Sequence, residues 1–292
     1  MYITPIQKLN EELNNNNFYI KRDDLLPVSF GGNKVRKAIL FFEDIKKKKN
    51  DCVVTYGSSS SNHCRVIANL AVSMGLPCFI ISPEENRKNT SNSNLVKLLG
   101  AKVIYCHLTD VNSTIHKKIE ELKGEGYKPY FIPGGGHGNL GTLAYVEAYR
   151  EIVEYEKKTG IHFDFIFHTS GTGTTQAGLI CGQIIDGDNR VIVGISNARK
   201  NPYGGEVVLN SVNEFLLSID KREITADFIN FIDDYVIDGY GSYNDEIILT
   251  IKEVLFRDGI PLDKTYTGKG YWGMREYIKK NNIRGKNILF IH

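Results

Sequence analysis

Short runs of β-branched and aromatic residues alternate along the chain with longer segments of helical periodicity. The short runs predict strands at Cys52–Tyr56, Cys78–Ser82, Lys102–His107, Phe163–His168, Arg190–Ser196 and Asn287–Ile291. The longer segments predict helices at Asn33–Lys48, Asn62–Met74, Leu140–Lys157, Thr174–Ile185, Val207–Ile219, Ser242–Phe256 and Tyr271–Lys280. Alternating strands and helices are typical of α/β proteins with mostly parallel sheets.

The pattern changes near residue 150. Compact strand–helix units precede this point, whereas longer loops and denser glycine clusters follow it. Two intercalated domains fit this change better than one continuous sheet. We therefore expect an α/β fold of two open, twisted domains with mostly parallel sheets.

The composition is that of a globular protein and narrows the range of partners. Of the 292 residues, 36 are basic and 34 are acidic, so the formal net charge is only +2. This balance gives no electrostatic case for binding a nucleic acid or a membrane surface. The N-terminus lacks the features of a signal peptide, and no segment approaches the roughly 20 apolar residues of a membrane span. We expect a protein of the cytoplasm.

The cysteines and histidines show no pattern typical of a metal site. The five cysteines have no CxxC spacing, and the seven histidines include no HExxH motif and no His/Cys cluster. Three of the cysteines lie in apolar, strand-like runs, where a reduced and buried thiol is expected. No metal site is therefore predicted.

One lysine follows a glycine turn. Gly31 and Gly32 allow a tight bend, and Asn33 can cap the following helix, which places Lys34 in its first turn. A lysine that is partly buried at the positive end of a helix has a lowered pKa, as a Schiff-base lysine requires. The alternative is a surface lysine that happens to follow a glycine turn, and these residues alone favour it.

Two loops between a predicted strand and a predicted helix have the composition of anion sites. Four consecutive serines, Ser58 to Ser61, offer hydroxyl and N–H groups to a carboxylate or a phosphate, although helix capping would explain one or two of them. In Thr169–Gly178, small residues let backbone amides converge on a phosphate, without the Gly-Lys-Ser/Thr of a P-loop.

The segment Gly136–Gly141 matches GxGxxG, the pattern of dinucleotide-binding loops. Such a site also needs an acidic residue about 20 positions later, at the end of a second strand. Here Asp164 begins a predicted strand instead. We therefore prefer a glycine-rich wall beside a ligand to a dinucleotide site.

Two tyrosines, Tyr240 and Tyr266, are flanked by glycine or threonine rather than by apolar periodicity. A phenol in such a loop can stack on a planar cofactor or transfer protons. A half-exposed tyrosine in a turn is an equally compatible alternative.

Together these motifs resemble, in the same order, those of the 1-aminocyclopropane-1-carboxylate deaminase and D-cysteine desulfhydrase family of fold-type II pyridoxal-phosphate enzymes. The motifs are Lys21–Asp24 with Gly31–Lys37, Ser60–Arg65, Thr172–Gly178, Gly239–Gly241 and Tyr266–Lys269. The resemblance covers nearly the whole chain and implies a fold similar to the tryptophan synthase β subunit. It implies a large cofactor-binding domain of residues 1–36 and 150–292 and a small domain of residues 37–149.

The resemblance also implies roles for individual residues. Pyridoxal phosphate is the implied cofactor, with Lys34 as the Schiff-base lysine and Ser61, Tyr240 and Tyr266 as the other catalytic residues. The implied cofactor-binding residues are Lys34, Asn62, Thr172, Gly173, Thr174, Thr175 and Thr267. The implied substrate-binding residues are Ser61, Asn62 and His63. The expected partners are a small amino-acid substrate and a second copy of the chain in a homodimer.

The implied reaction is an α,β-elimination like that of D-cysteine desulfhydrase, which yields pyruvate, ammonia and sulfide. Cyclopropane deaminases carry glutamate where this chain has Thr267, and they usually carry glutamine where it has His63. The alternatives are a cyclopropane deaminase, a β-replacement synthase or a racemase on the same scaffold. A protein that only binds an amino acid or pyridoxal phosphate is the alternative outside enzymes.

Overall fold

The computed structural model describes residues 2–292 and contains ten strands and nine helices in that range. In chain order the strands are β1 (Ile6–Lys8), β2 (Asn17–Lys21), β3 (Cys52–Tyr56), β4 (Cys78–Pro83), β5 (Lys102–Cys106), β6 (Pro129–Ile132), β7 (Phe165–Ser170), β8 (Val191–Ser196), β9 (Asn230–Ile232) and β10 (Asn287–Ile291). The helices are α1 (Asn33–Lys48), α2 (Asn62–Ser73), α3 (Ser91–Leu98), α4 (Val111–Gly124), α5 (Asn139–Thr159), α6 (Thr174–Asp186), α7 (Tyr203–Leu217), α8 (Asp245–Asp258) and α9 (Thr267–Lys280).

Contacts between Cα atoms divide the chain into two units. Leu26–Gly141 forms the first unit, and Tyr2–Leu25 with Thr142–His292 forms the second. The boundaries expected from the sequence, after residues 36 and 149, differ from these. A boundary after residue 36 would cut the first turn of α1, which begins at Asn33 and lies wholly within the first unit.

The first unit contains a fully parallel sheet with the strand order β5-β4-β3-β6. Strands β3 and β4 are buried along nearly their whole length, as expected for parallel strands covered on both faces. One apolar cluster contains Val35, Phe41 and Ile67 from α1 and α2, and another contains residues of α4. Because all four strands are parallel, the loop after β3 lies at the carboxyl edge of this sheet, where ligands of α/β proteins usually bind.

The second unit contains a six-stranded sheet with the strand order β1-β2-β10-β7-β8-β9. Only β1 pairs in the antiparallel sense, with β2, and all other pairs among the described residues are parallel. Phe18 of β2, Phe167 of β7 and Tyr271 of α9 are buried in one apolar cluster. The central strand β7 ends at Ser170, directly before the threonine-rich loop.

The structure confirms the α/β class with mostly parallel sheets. It also confirms the predicted bounds of β3, β10 and α1, and the other predicted elements are present with shifted ends. The prediction missed four strands and two helices. Strands β1 and β9 have three residues each and α3 has only eight, so none of them produces a long periodic pattern. Helix α4 does carry apolar residues at helical spacing, namely Val111, Ile115, Ile119 and Leu122, so its pattern was available in the sequence.

Within residues 2–292, no helix combines the length and the apolar character needed to cross a membrane. The same part of the chain contains no cluster of three or more histidine, cysteine, aspartate or glutamate side chains suited to a metal ion.

Candidate active site

Lys34 occupies the first turn of α1 in the first unit. Gly32 is the N-cap residue with φ 90°, so the expected cap at Asn33 is wrong because α1 begins with Asn33 itself. The half-buried Lys34 donates a hydrogen bond from Nζ to the carbonyl oxygen of Gly135 at 3.3 Å. Removal of the ammonium from water lowers the pKa of Lys34 to about 8. A substantial share of neutral amine at physiological pH follows.

The segment Gly136–Gly141 begins beside α1, directly after Gly135, whose carbonyl oxygen accepts from Lys34. Its first residue, Gly136, has φ 68°, and a Cβ there would lie 3.1 Å from the Cβ of Lys37. The glycine therefore permits the close approach of this turn to α1. A packing role explains its presence, so no dinucleotide site is needed to account for the motif.

The serine loop leads into α2. Ser61 is the N-cap residue, and its Oγ accepts a hydrogen bond from the backbone N–H of Cys64 at 3.3 Å. Asn92 donates from Nδ2 to the side-chain oxygen of Asn62 at 2.8 Å and to the carbonyl oxygen of Ser60 at 2.8 Å. Asn92 gave no signal in the sequence, because only the fold brings α3 to this loop. Its contacts fix the orientation of the Asn62 carboxamide.

His63 is buried, and its hydrogen bonds define its tautomer. The Thr55 hydroxyl donates its single hydrogen to the carbonyl oxygen of Ile132 at 2.7 Å, so it must accept from His63 Nε2 at 2.8 Å. The imidazole therefore carries its hydrogen on Nε2 and keeps Nδ1 as an acceptor. Burial, with the nearby charges of Lys34 and Lys37, lowers the pKa of His63 to about 3. The ring is neutral at physiological pH.

The threonine-rich loop of the second unit connects β7 to α6. Gly173 is the N-cap residue of α6 with φ 91°, and a Cβ there would lie 3.2 Å from Cγ2 of Val208. Thr174 and Thr175 form the buried first turn, and Thr172 is half-buried. The first N–H groups of a helix have no acceptor within the helix and attract anions. Ser170, just before the loop, has a buried Oγ without a hydrogen bond in the described part of the chain.

The two predicted tyrosines lie together in the second unit. Their hydroxyl oxygens are 2.6 Å apart, and their rings meet edge to face with centroids 5.9 Å apart. Tyr240 is 53% exposed. Burial, and then the neighbouring Tyr240, raises the pKa of Tyr266 far above 10. Tyr266 therefore keeps its proton at physiological pH and can act as a hydrogen-bond donor.

Asp263 organises the residues around Tyr266. Its carboxylate accepts hydrogen bonds from the backbone N–H of Tyr266 at 2.7 Å and of Thr267 at 3.0 Å. The Thr267 hydroxyl donates to the same carboxylate at 2.9 Å and accepts from the N–H of Asp263 at 2.9 Å. The single hydrogen of Thr267 is thus used within the chain, as in a helix cap. Asp263 was not among the residues predicted for the site, although an aspartate shortly before a helix is a usual capping signal.

The structure brings together two sets of predicted residues, one within each unit. In the first unit, the charge of Lys34 acts on His63, and Ser61 and Asn62 begin the helix that carries His63. In the second unit, Thr169 at the end of β7 donates to the carbonyl oxygen of Tyr266 at 3.1 Å. This contact links the strand before the threonine-rich loop to the tyrosine pair.

Comparisons with known proteins show which family this chain is similar to. The sequence model of a family described as pyridoxal-phosphate dependent enzyme matches residues 2–292. A protein of Pyrococcus abyssi, named as a candidate 1-aminocyclopropane-1-carboxylate deaminase, is 36% identical over 99% of this chain and 88% of its own length. A D-cysteine desulfhydrase of Yersinia enterocolitica is 31% identical over 99% of this chain and 90% of its own. A crystal structure of a homologue of 1-aminocyclopropane-1-carboxylate deaminase has a TM-score of 0.90 and 33% identity, covering 100% of this chain and 89% of that one.

Proposed function

The chain belongs to the family of pyridoxal-phosphate dependent enzymes, in the group of 1-aminocyclopropane-1-carboxylate deaminases and D-cysteine desulfhydrases, and we propose that it is a lyase of small amino acids. The proposed reaction removes the α-proton and the β-substituent of D-cysteine and gives pyruvate, ammonia and sulfide. The observation that carries the proposal is the amine of Lys34, whose pKa is lowered to about 8 at the start of α1.

The residues present fit pyridoxal phosphate. Lys34 offers an amine that is partly neutral at physiological pH, as bond formation with an aldehyde requires. The loop Thr172–Thr175 offers hydroxyls and a helix N-terminus, as phosphate binding requires. The buried Oγ of Ser170, without a partner in the described residues, adds a donor beside that loop. We propose that Lys34 binds the aldehyde and that Thr172–Thr175 bind the phosphate.

Pyridoxal phosphate supplies an electron sink for the bond broken at the substrate α-carbon. We propose that the amine of Lys34 takes the α-proton of the substrate, since its pKa of about 8 suits a base near neutral pH. Tyr266 is less suited to this step because burial raises its pKa far above 10. We propose instead that the hydroxyl pair of Tyr240 and Tyr266 keeps its protons and donates a hydrogen bond to the departing thiolate, which leaves as hydrosulfide. The released enamine then hydrolyses to pyruvate and ammonia.

The start of α2 is the proposed site of the substrate carboxylate. Ser61, Asn62 and His63 lie where a helix presents its positive end, which favours a carboxylate. The neutral state of His63 means that its side chain adds no cationic charge there. The side-chain oxygen of Asn62 accepts a hydrogen bond from Asn92. The side-chain N–H groups of Asn62 can therefore donate to an oxygen atom of a ligand. We propose the ring oxygen of the cofactor as that atom.

One position, Thr267, supports elimination over ring opening. Thr267 follows the second tyrosine at the place where the resembling cyclopropane deaminases carry glutamate, and it brings no charge. Its hydroxyl hydrogen is already donated to Asp263, so Thr267 can contact the cofactor only as an acceptor or through its methyl group. The relatives named as deaminases keep ring opening of 1-aminocyclopropane-1-carboxylate as the second candidate function.

The Schiff-base role of Lys34 is tested by visible absorbance. The purified protein is expected to be yellow after addition of pyridoxal phosphate, and Lys34→Ala is expected to lose this band. Lys46→Ala is the matched control, because Lys46 lies near the exposed end of the same helix. A yellow Lys34→Ala protein would show that another amine carries the cofactor.

The reaction is tested by a panel of three substrates. D-Cysteine, L-cysteine and 1-aminocyclopropane-1-carboxylate are incubated with the holoenzyme, and pyruvate, sulfide and 2-oxobutanoate are measured. We expect pyruvate and sulfide in equal amounts from D-cysteine. Formation of 2-oxobutanoate alone, from the cyclopropane substrate, would replace the elimination proposal by the deaminase. Release of no product from any of the three would contradict both.

Assembly as a homodimer and a cytoplasmic location are further proposals from the family resemblance. Light scattering of the purified protein tests the first, and a mass of one chain at micromolar concentration would contradict it. Cell fractionation tests the second.

A further inference from the structure

Lys269 is a fully buried lysine of the second unit that the proposed reaction does not use. It lies in the first turn of α9, and none of its surface is exposed. Its Nζ donates to the carbonyl oxygens of Val236 at 2.9 Å, Gly239 at 3.0 Å and Asn197 at 3.1 Å. Three converging carbonyl oxygens form a compact site for one cation.

The three contacts require the ammonium form of Lys269. An ammonium group has three N–H donors, one for each carbonyl oxygen, whereas a neutral amine would turn its lone pair toward one of them. A buried cation is costly, and the positive end of α9 makes this position less favourable still. The hydrogen bonds to the three carbonyl oxygens must offset this cost. Because each bond fixes both of its partners, Lys269 also holds the backbone that carries these oxygens.

The loop bound by Lys269 has an unfavourable backbone. Ile237 has φ 62°, a conformation rarely adopted by a β-branched residue, and Gly239 and Gly241 have φ 112° and 81°. The Ser242 hydroxyl donates to the carbonyl oxygen of Gly239 at 2.7 Å and accepts from the N–H of Asp238 at 3.1 Å. The loop needs hydrogen bonds such as those from Lys269 and Ser242 to keep this conformation. Tyr240 lies in this loop, between Gly239 and Gly241.

The other tyrosine is fixed to the same helix. Tyr266 directly precedes α9, and Asp263 holds its backbone N–H. A Cβ at Gly270 would lie only 2.0 Å from the Oγ1 of Thr169, so the start of α9 packs closely against the end of β7. Lys269 thus joins the Tyr240 loop to the helix that positions Tyr266.

We propose that Lys269 is a positioning residue that holds the Val236–Ser242 loop against α9, so that the hydroxyl of Tyr240 meets the hydroxyl of Tyr266. Its importance for turnover rests on the proposed function of the tyrosine pair. Its effect on the loop does not.

The first test measures backbone hydrogen–deuterium exchange of residues 237–242 without substrate. Lys269→Met keeps the length of the side chain and removes the charge, and faster exchange of these amides is expected. Lys279→Met is the matched control, because Lys279 lies on α9 with an exposed ion pair to Glu276. Unchanged exchange in a cooperatively folded Lys269→Met protein would overturn the proposal, whatever reaction the enzyme catalyses.

The second test is a double-mutant cycle on turnover of the substrate identified in the panel. Lys269→Met is expected to lower kcat on the order of tenfold to a hundredfold, with a smaller effect on KM, since small misplacements of catalytic groups have effects of this size. In a Tyr240→Phe background the same substitution is expected to add little, because the hydroxyl it positions is already gone. Fully multiplicative effects would contradict a role through Tyr240.

A third test restores the cation. Lys269→Ala leaves a space lined by the three carbonyl oxygens, and ethylammonium is expected to restore slow exchange of residues 237–242. Tetramethylammonium, which has no N–H to donate, is expected to have no effect. Equal effects of both cations would contradict the hydrogen-bonding role.

Lys269→Arg replaces Lys269→Met if the latter does not fold. A guanidinium keeps the charge but spreads its donors over a plane, so it cannot serve three carbonyl oxygens from one point. We expect faster loop exchange in a folded Lys269→Arg protein. Wild-type exchange and wild-type kcat in that variant would overturn the proposal.

Discussion

Two side chains of the first unit owe their charge state mainly to burial. Removal from water lowers the pKa of Lys34 to about 8 and that of His63 to about 3, and the neighbouring lysines add to the shift of His63. In both cases burial shifts the equilibrium toward the neutral form, relative to the same side chain in water. For Lys34 this provides a nucleophile, and for His63 it provides a neutral side chain of fixed tautomer. The two shifts lead to separate pH predictions.

The rate at which the apo-enzyme binds pyridoxal phosphate covalently should rise with pH around a midpoint near 8. The neutral amine is the nucleophile, and the pKa of Lys34 sets how much of it is present. The growth of visible absorbance is measured from pH 6 to pH 10. The rate of the same reaction with N-acetyl-lysine is first divided by the neutral fraction of that amine, whose ordinary pKa is 10.5. The result gives the pH dependence of the cofactor itself and is divided out. A corrected midpoint near the ordinary lysine value of 10.5 would contradict the lowered pKa.

His63 should make the fold less stable in acid. Its folded-state pKa is lowered from 6.5 to about 3, so between these values the unfolded chain binds a proton that the folded chain does not. Stability from this source is present above pH 6.5 and is lost as the pH falls toward 3. His63 should account for about 2 kcal/mol of the stability lost between pH 7 and pH 5.

Urea unfolding of the wild type and of His63→Asn at the two pH values measures this difference. The loss between pH 7 and pH 5 should be smaller in His63→Asn, even if that variant is less stable at both pH values. His116→Gln is the control, because His116 is exposed on α4. An equal loss in all three proteins would contradict burial of a neutral His63.

Four helices begin at or next to candidate site residues, and their starts have three different local causes. Gly32 precedes α1, Ser61 caps α2, Gly173 precedes α6, and Tyr266 precedes α9 with Asp263 as its anchor. Helix starts collect unpaired N–H groups and positive potential. The same physical feature thus serves a carboxylate at α2 and a phosphate at α6 in the proposed function.

Gly173→Ala tests the phosphate role of the α6 start. Alanine at φ 91° should cost about 1–2 kcal/mol of stability. Gly187→Ala is a close control, because Gly187 has φ 71° at the other end of α6 and open space around its Cβ position. Gly173→Ala should lose more stability than Gly187→Ala, because its Cβ also approaches Val208. Only Gly173→Ala should weaken binding of pyridoxal phosphate, as titrated by absorbance. Equal affinities in the two variants would remove Gly173 from the phosphate site.

The sequence predicted those parts of the site that are encoded locally. Glycine, serine and threonine clusters between a strand and a helix indicated the loops of Lys34, Ser61 and Thr172. Asn92 and Lys269 gave no such signal, since the acceptors of Asn92 lie 30 and 32 positions away in the chain and those of Lys269 lie 30, 33 and 72 positions away. Most of those acceptors are backbone carbonyls, which every residue has. Only the fold selects them, so no residue pattern could reveal them.

The two units differ in the number of chain segments that form them. The first unit, Leu26–Gly141, is one continuous segment, whereas the second needs Tyr2–Leu25 as well as Thr142–His292. In the second unit, β2 pairs along its whole length with β10 and also carries β1. Phe18 and Ile20 of β2 are almost fully buried in the apolar cluster of this sheet. Loss of the N-terminal segment would therefore expose one side of β10 and part of that core.

Two fragments should behave differently for this reason. Residues 26–141 contain a complete four-stranded parallel sheet with its own apolar clusters, so this fragment should fold by itself and unfold cooperatively in urea. Residues 142–292 lack β1 and β2, so they should aggregate or remain partly unfolded until a peptide of residues 2–25 is added. Circular dichroism and urea titration of each fragment measure this. Cooperative unfolding of residues 142–292 alone would show that the N-terminal strands are dispensable, and failure of residues 26–141 to fold would show that its sheet needs the rest of the chain.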